Sequence, residues 1–189
     1  MDLSKFKTSD WLKVGGGVAF LIAYFLDWSS FPTYNVGGVS YGGANLSGSD
    51  FFFRGTLPWL LTVATGVMAF LLAAGIVKAG KLPWNIIFVA ATALATLLVF
   101  IYIIHPTYSG VSDIGRGIGA WLGLVGAGVA LAGSFIGFTE SGGTLNDLKD
   151  INKIKGQFSG GSAGGDTPPP PPPPPGATPP PPPPPPPAG

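Results

Sequence analysis

Residues 83–104 read PWNIIFVAATALATLLVFIYII, a run with no charged side chain and Pro83 at its head. As a helix rising about 1.5 Å per residue, such a run spans about 30 Å, the thickness of a bilayer's hydrocarbon core. Three further segments, Trp11–Phe31, Leu57–Val77 and Gly117–Phe138, have similar length and apolar character, and only the first holds charges, Lys13 and Asp27, near its ends. The pattern predicts an all-α membrane protein in which residues 1–140 form a four-transmembrane-helix bundle. A cleaved signal peptide is the rival reading of the first segment. It is disfavoured because Asp27-Trp28-Ser29-Ser30-Phe31-Pro32 follows the apolar run, where a small-x-small cleavage site would belong.

Composition agrees. Charged residues make up 10% of the chain, against about 25% in soluble domains. The formal net charge of +1 gives no electrostatic basis for nucleic-acid binding, and the absence of cysteine removes disulfides, thiolate metal sites and thiol nucleophiles together.

Lysine and arginine divide unevenly. Lys5, Lys7 and Lys13 precede or open the first span, Lys78 and Lys81 lie between the second and third, and Lys149, Lys153 and Lys155 follow the fourth. The other two loops hold only Arg54 and Arg116. Because Lys and Arg are enriched in cytoplasmic loops, both termini are expected in the cytoplasm, with the plasma membrane as location. Trp11 and Trp84 then start spans on the inner side, and Trp28, Trp59 and Trp121 lie near outer ends, where amphipathic rings serve as interfacial anchors.

The outer loop divides in two. Thr33–Ser49, rich in Gly, Ser, Asn and Tyr, reads as irregular or hairpin-like surface. Asp50-Phe51-Phe52-Phe53-Arg54 reads as an interfacial turn with its charges paired four apart. In the fourth span Gly115, Gly119, Gly123 and Ala127 recur every four residues, and Gly133 and Gly137 repeat the spacing. Small residues four apart clear a groove for a close helix–helix approach. The expected use is packing within the bundle, and a homo-oligomer through the same stripe is the alternative.

Beyond the bundle, residues 141–158 form a juxtamembrane helix or linker, with Thr144 and Asp147 as a variant capping box and an apolar side of Leu145, Leu148, Ile151 and Ile154. Residues 159–189 are a disordered Gly/Ser linker and polyproline tail, with unbroken runs Pro168–Pro175 and Pro179–Pro187. In the polyproline II conformation, at about 3.1 Å per residue, each run is a rod of roughly 25–28 Å. Such rods dock in aromatic-lined grooves, so Pro168, Pro175, Pro179 and Pro187 mark the bounds of a candidate partner-binding tail, with a simple spacer as the alternative.

Little chemistry is visible elsewhere. Asp27, His105, Asp113 and Arg116 are the polar groups near the outer ends of spans, and a contact between Asp27 and His105 would be a candidate proton-relay or metal site. With one histidine and no cysteine a metal site lacks ligands. Nor is there a nucleophile–base constellation, so no enzyme, cofactor or metal is expected. No span carries a polar stripe, and four helices pack around side chains rather than a water path, so transport would require an oligomer.

Thr8-Ser9-Asp10 ahead of the first span, Leu26-Asp27-Trp28 at its exit, Gly55-Thr56-Leu57-Pro58-Trp59-Leu60-Leu61 entering the second, and the tail together resemble uncharacterised four-span membrane proteins of actinobacteria with Pro-rich cytoplasmic tails. The layout is similar to that of a mycobacterial group of antigenic membrane proteins, some associated with the cell envelope and division machinery. The resemblance implies no catalytic residues, and this chain's tail is shorter and purer in proline. The sequence therefore points to a non-enzymatic membrane anchor or scaffold that offers its tail to a cytoplasmic polyproline-binding protein, with a subunit of a small oligomeric channel or transporter as the alternative.

Overall fold

The computed structural model describes residues 6–80, 82–105 and 114–158. Lys5, Lys81, Asp113, the Gly/Ser linker and the tail, including Pro168, Pro175, Pro179 and Pro187, lie outside the described residues. The described residues are mostly helical, at 69%. Four long helices, α1 (Thr8–Phe25), α2 (Leu57–Ala73), α3 (Trp84–Ile104) and α4 (Ile118–Glu140), run antiparallel in sequence order. Among the described residues, three segments are long and apolar enough to cross a membrane: Phe52–Ala73, Trp84–Ile104 and Ile118–Glu140. The first of these includes a π-helical turn, Phe52–Thr56, that leads into α2 with Pro58 in its first turn. α1 is shorter and carries Asp10 and Lys13.

The fold is not all-α. Five short strands cover one end of the helices: β1 (Asp27–Ser30), β2 (Thr33–Val36), β3 (Val39–Gly42), β4 (Asn45–Ser47) and β5 (Gly115–Arg116). β1 lies between β4 and β5, antiparallel to both, while β2 and β3 form a separate hairpin. Gly37 and Gly38, with φ of 60° and 82°, make its two-residue turn. Two sequence expectations are corrected here. The first helix ends at Phe25 instead of continuing to Phe31, because Asp27–Ser30 leaves the helix to pair with two strands. Gly115 belongs to β5, so it stands outside the small-residue face of α4.

Small and hydroxylated residues line the helix contacts, and a buried cluster of Phe20, Trp28, Phe51, Val99 and Tyr102 fills the sheet end. α1 and α4 meet backbone to backbone: a Cβ on Gly126 would lie 2.9 Å from Phe20 N and 3.0 Å from Gly16 O. α1 and α2 do the same at Gly17 and Gly66. Thr62, Thr92 and Ser134, all buried, donate to the carbonyls of Pro58, Phe88 and Ala130 one turn back, so no buried hydroxyl among them needs water. Many other large apolar side chains point outward. Ile22, Val67, Leu97, Phe100 and Val125 are all exposed, and only 28–39% of each of the three apolar helices is buried within the protein.

The segment after α4 contains two helices rather than one, α5 (Leu145–Lys149) and α6 (Ile151–Phe158), broken at Asp150. Asp147 accepts from both the backbone N–H (2.7 Å) and the hydroxyl (2.8 Å) of Thr144, which caps α5. Leu148 and Ile154 pack on a cluster of Ile86, Val89 and Phe138, which ties this segment to the bundle.

Two glycines in one helix separate packing from propensity. Gly126→Ala forces α1 away from α4 and is expected to destabilise by about 1–3 kcal/mol. Gly128 has nothing within 4 Å of its would-be Cβ, so Gly128→Ala is expected to stabilise by up to about 1 kcal/mol. Unfolding in mild detergent checks both signs.

Candidate functional site

The sheet end of the bundle is organised by Trp28. The register of β1 against β4 slips between Asp27 and Ser29, a bulge that turns two consecutive side chains, Trp28 and Ser29, into the protein. Trp28 is fully buried, packed on Phe20 and Tyr102, with its indole N–H donating to Ala23 O at 2.8 Å. The Tyr102 hydroxyl donates to Trp28 O at 3.2 Å and shares a 2.6 Å hydrogen bond with the Ser29 hydroxyl. Gly119 and Gly123 leave the space the indole fills, since a Cβ on Gly119 would sit 2.7 Å from Trp28 Cδ1. The expectation that Trp28 is an interfacial anchor is therefore corrected: it is the largest fully buried side chain described. Trp11 and Trp121 do face outward, each about half exposed. Trp59 stacks on Tyr24, and Trp84 donates to Ala79 O. Phe51, expected with its neighbours at an interface, is buried against Tyr102, and only Phe52 and Phe53 are exposed.

Asp27 and His105 are not brought into contact. The Asp27 carboxylate accepts from Asn45 Nδ2 at 2.9 Å, across the β1–β4 pair. The His105 carbonyl accepts from Arg54 at 2.6 Å, and Arg116 reaches the Ile103 carbonyl at 2.6 Å. Both arginines thus satisfy the otherwise open C-terminal carbonyls of α3, where positive charge suits the helix dipole. Asp50 turns back to the Ser47 N–H at 2.8 Å instead of pairing with Arg54. Among the described residues no group of three or more His, Cys, Asp or Glu could hold a metal ion.

The opposite end carries a polar arrangement that sequence reading did not assemble. Lys13 is buried, its ammonium 2.8 Å from Asp10 Oδ1 and 5.3 Å from the centroid of the Phe88 ring. Asp10 also accepts from the Lys7 N–H at 3.3 Å, so it caps α1 and neutralises Lys13 together. Ser9, buried, donates to Glu140 Oε2 at 3.0 Å, and Lys7 approaches the same oxygen at 4.0 Å. The stripe of α4 makes this fit. A Cβ on Gly133 would lie 2.8 Å from Ser9 O, and one on Gly137 would lie 3.3 Å from Lys13 Nζ. These groups border an open cavity of about 580 Å³ between the ends of the four helices. Its lining mixes charged residues, Lys7, Asp10, Lys13 and Glu140, with apolar ones, Leu72, Leu82, Trp84 and Phe138.

Gly119, Gly123, Gly133 and Gly137 all face α1 or the Trp28 indole at its exit, so the stripe packs against this chain's own first helix. The one sequence signal for the polar end was Lys13, a lysine inside an apolar run three residues after an aspartate. Glu140, the chain's only glutamate, lies too far along the chain for spacing to connect it with Ser9. No family model, curated protein or solved structure matches the chain.

Lys13→Met leaves Asp10 without its cation and is expected to cost about 3 kcal/mol. Adding Asp10→Asn to that variant is expected to recover part of the loss. A double-mutant cycle in detergent reads the coupling, and additive losses would show that the pair does not act as a unit.

Proposed function

We propose that this chain is a four-span integral membrane protein of the plasma membrane, with both termini cytoplasmic, that acts as a non-enzymatic anchor presenting its polyproline tail to a cytoplasmic protein. The observation that carries the membrane part is the distribution of residues. Glycines and the buried hydroxyls of Thr62, Thr92 and Ser134 line the helix contacts, Phe20, Trp28, Val99 and Tyr102 fill the sheet end, and Val18, Ile22, Val67, Leu97, Phe100 and Val125 all face outward. In water this arrangement would expose a continuous apolar belt, whereas in lipid, close backbone approach and interhelical packing are the main sources of association. α1 supports the fourth span because it runs antiparallel along α4, with Ser9 beside Glu140 at one end and Ala23 beside Gly119 at the other. Eighteen residues of α1 span about 27 Å at about 1.5 Å each, and its one buried charge, Lys13, is paired and near its start.

The anchor reading is supported by the way the chain leaves the bundle. Leu148 and Ile154 hold α5 and α6 on the helix ends, so the segment leading into the tail begins from a fixed position. The close packing of α1 on α4 at Gly16–Gly126 and on α2 at Gly17–Gly66 supports the anchor over a channel within one chain. The layout resemblance to actinobacterial proteins suggests the cell envelope or division as the setting.

Two experiments test this reading. Since the chain has no cysteine, single cysteines report sidedness directly. Ser40→Cys is expected to react with an impermeant maleimide added outside intact cells, and Ser4→Cys and Asn152→Cys only after lysis. Labelling of Ser4→Cys from outside would mean that α1 does not cross. For the tail, partners captured from native membranes with full-length protein are expected to be lost from a copy ending at Asp166. Identical partner sets would overturn the anchor role.

A further inference from the structure

The anchor reading makes no use of the cavity at the Lys13 end. Its volume of about 580 Å³ falls inside the range of about 300–1,000 Å³ typical of ligand sites. Its position and lining narrow the occupant. If the bundle crosses the membrane, this cavity lies at the cytoplasmic interface, where head groups and the first acyl carbons are found. Its lining suits that boundary, combining charged side chains at and before the start of α1 and at the end of α4 with Leu72 of α2, Leu82 of the connection and Trp84 of α3.

The charges narrow it further. Among the described residues, Lys7 and Lys13 line the cavity with the carboxylates of Asp10 and Glu140. Lys13 is held by Asp10 at 2.8 Å and covered by Phe88, so it is not free to bind an incoming anion. Glu140 uses only Oε2 for Ser9 and Lys7, which leaves Oε1 without a partner among the described residues. Lys7 is 66% exposed and touches Glu140 only at 4.0 Å, so its ammonium can turn to a phosphate at little cost. A purely anionic head group would set its charge beside the Glu140 carboxylate with no cation to offer it. A zwitterionic head with a primary ammonium satisfies both signs, its N–H groups donating to Glu140 and its phosphate accepting from Lys7.

We propose that this cavity binds a zwitterionic phospholipid bearing a primary ammonium, with Glu140 and Lys7 as head-group ligands and the chains leaving over Leu72, Leu82 and Trp84. The inference rests on the membrane reading but not on the role of the tail. A protein that stays soluble without detergent would remove the membrane reading itself, whereas the lipid measurement below addresses the cavity alone.

The test is native mass spectrometry of the full-length protein in detergent, with phosphatidylethanolamine and phosphatidylglycerol of identical chains at equal concentration. Retention of the ethanolamine lipid is expected to exceed that of the glycerol lipid by about fivefold, or roughly 1 kcal/mol. Glu140→Gln keeps an acceptor for Ser9 and is expected to abolish the preference. Lys7→Gln, at an exposed side chain with little packing, is expected to weaken retention even if the first variant folds poorly, and Ser40→Ala on the hairpin should change nothing. Glycerophosphoethanolamine, the head without chains, is expected to compete weakly. Equal retention of the two lipids, a preference unchanged in both cavity variants, or full competition by the chainless head would overturn the proposal.

Discussion

The close approach of α1 to α4 is the constraint on which the other features depend. A backbone contact of this kind requires glycine or alanine on the facing surface, and α4 supplies Gly119, Gly123, Gly126, Ala127, Ala130, Gly133 and Gly137 along its length. Side chains larger than these would separate the helices and lose the dispersion contacts that, in an apolar solvent, replace the hydrophobic effect as the source of cohesion. The same contact sets both ends of the bundle. At one end it places Trp28 over Gly119 and Gly123, and at the other it places Ser9 and Lys13 over Gly133 and Gly137. The stripe is therefore a single feature with two consequences: a site for an indole at the sheet end and room for a buried ion pair at the other.

The helices were legible in sequence because their lengths and lack of charge are local properties. Trp84–Ile104 begins within one residue of the uncharged run that Pro83 opens. The sheet was not legible. Its strands are two to four residues long, and the central one continues directly from an apolar helix, so hydropathy extends the helix through Asp27–Ser30. Trp28 was misread for a related reason: an aromatic residue near the end of an apolar run usually faces the interface, and only the bulge against β4 turns it inward. The four-residue spacing of Gly119 and Gly123 did signal a close neighbour but could not say whether that neighbour was a backbone or a large ring.

Sites built from distant residues are harder to read than elements. Asp27 and His105 were grouped because both end spans on the same side, yet the Asp27 carboxylate accepts from Asn45 and the contact made by His105 is through its backbone carbonyl, to Arg54. Lys13 and Glu140 were visible as single charges but not as neighbours, since their proximity follows from antiparallel packing of the first and last helices. Counting lysines for orientation treats each as a solvated charge. Lys13 is instead enclosed by Asp10, Phe88 and the open side of Gly137, and its role is structural before it is topological.

An ion pair at the end of a helix bundle is an expensive way to fill space, because desolvation of both partners offsets much of their attraction. Asp10 lowers that cost by serving twice, as the acceptor for the Lys7 N–H at the start of α1 and as the counter-ion of Lys13. Lys13 in turn adds the Phe88 ring face, an interaction an aliphatic residue could not make. The arrangement holds the first turn of α1 against α3 and α4 at one fixed rotation, which apolar packing alone specifies weakly. With that rotation set, Ser9 meets Glu140, the polar lining of the cavity is formed, and α1 presents Gly16 and Gly17 to two different helices. The buried charges are thus better understood as fixing the register of the bundle than as adding to its stability.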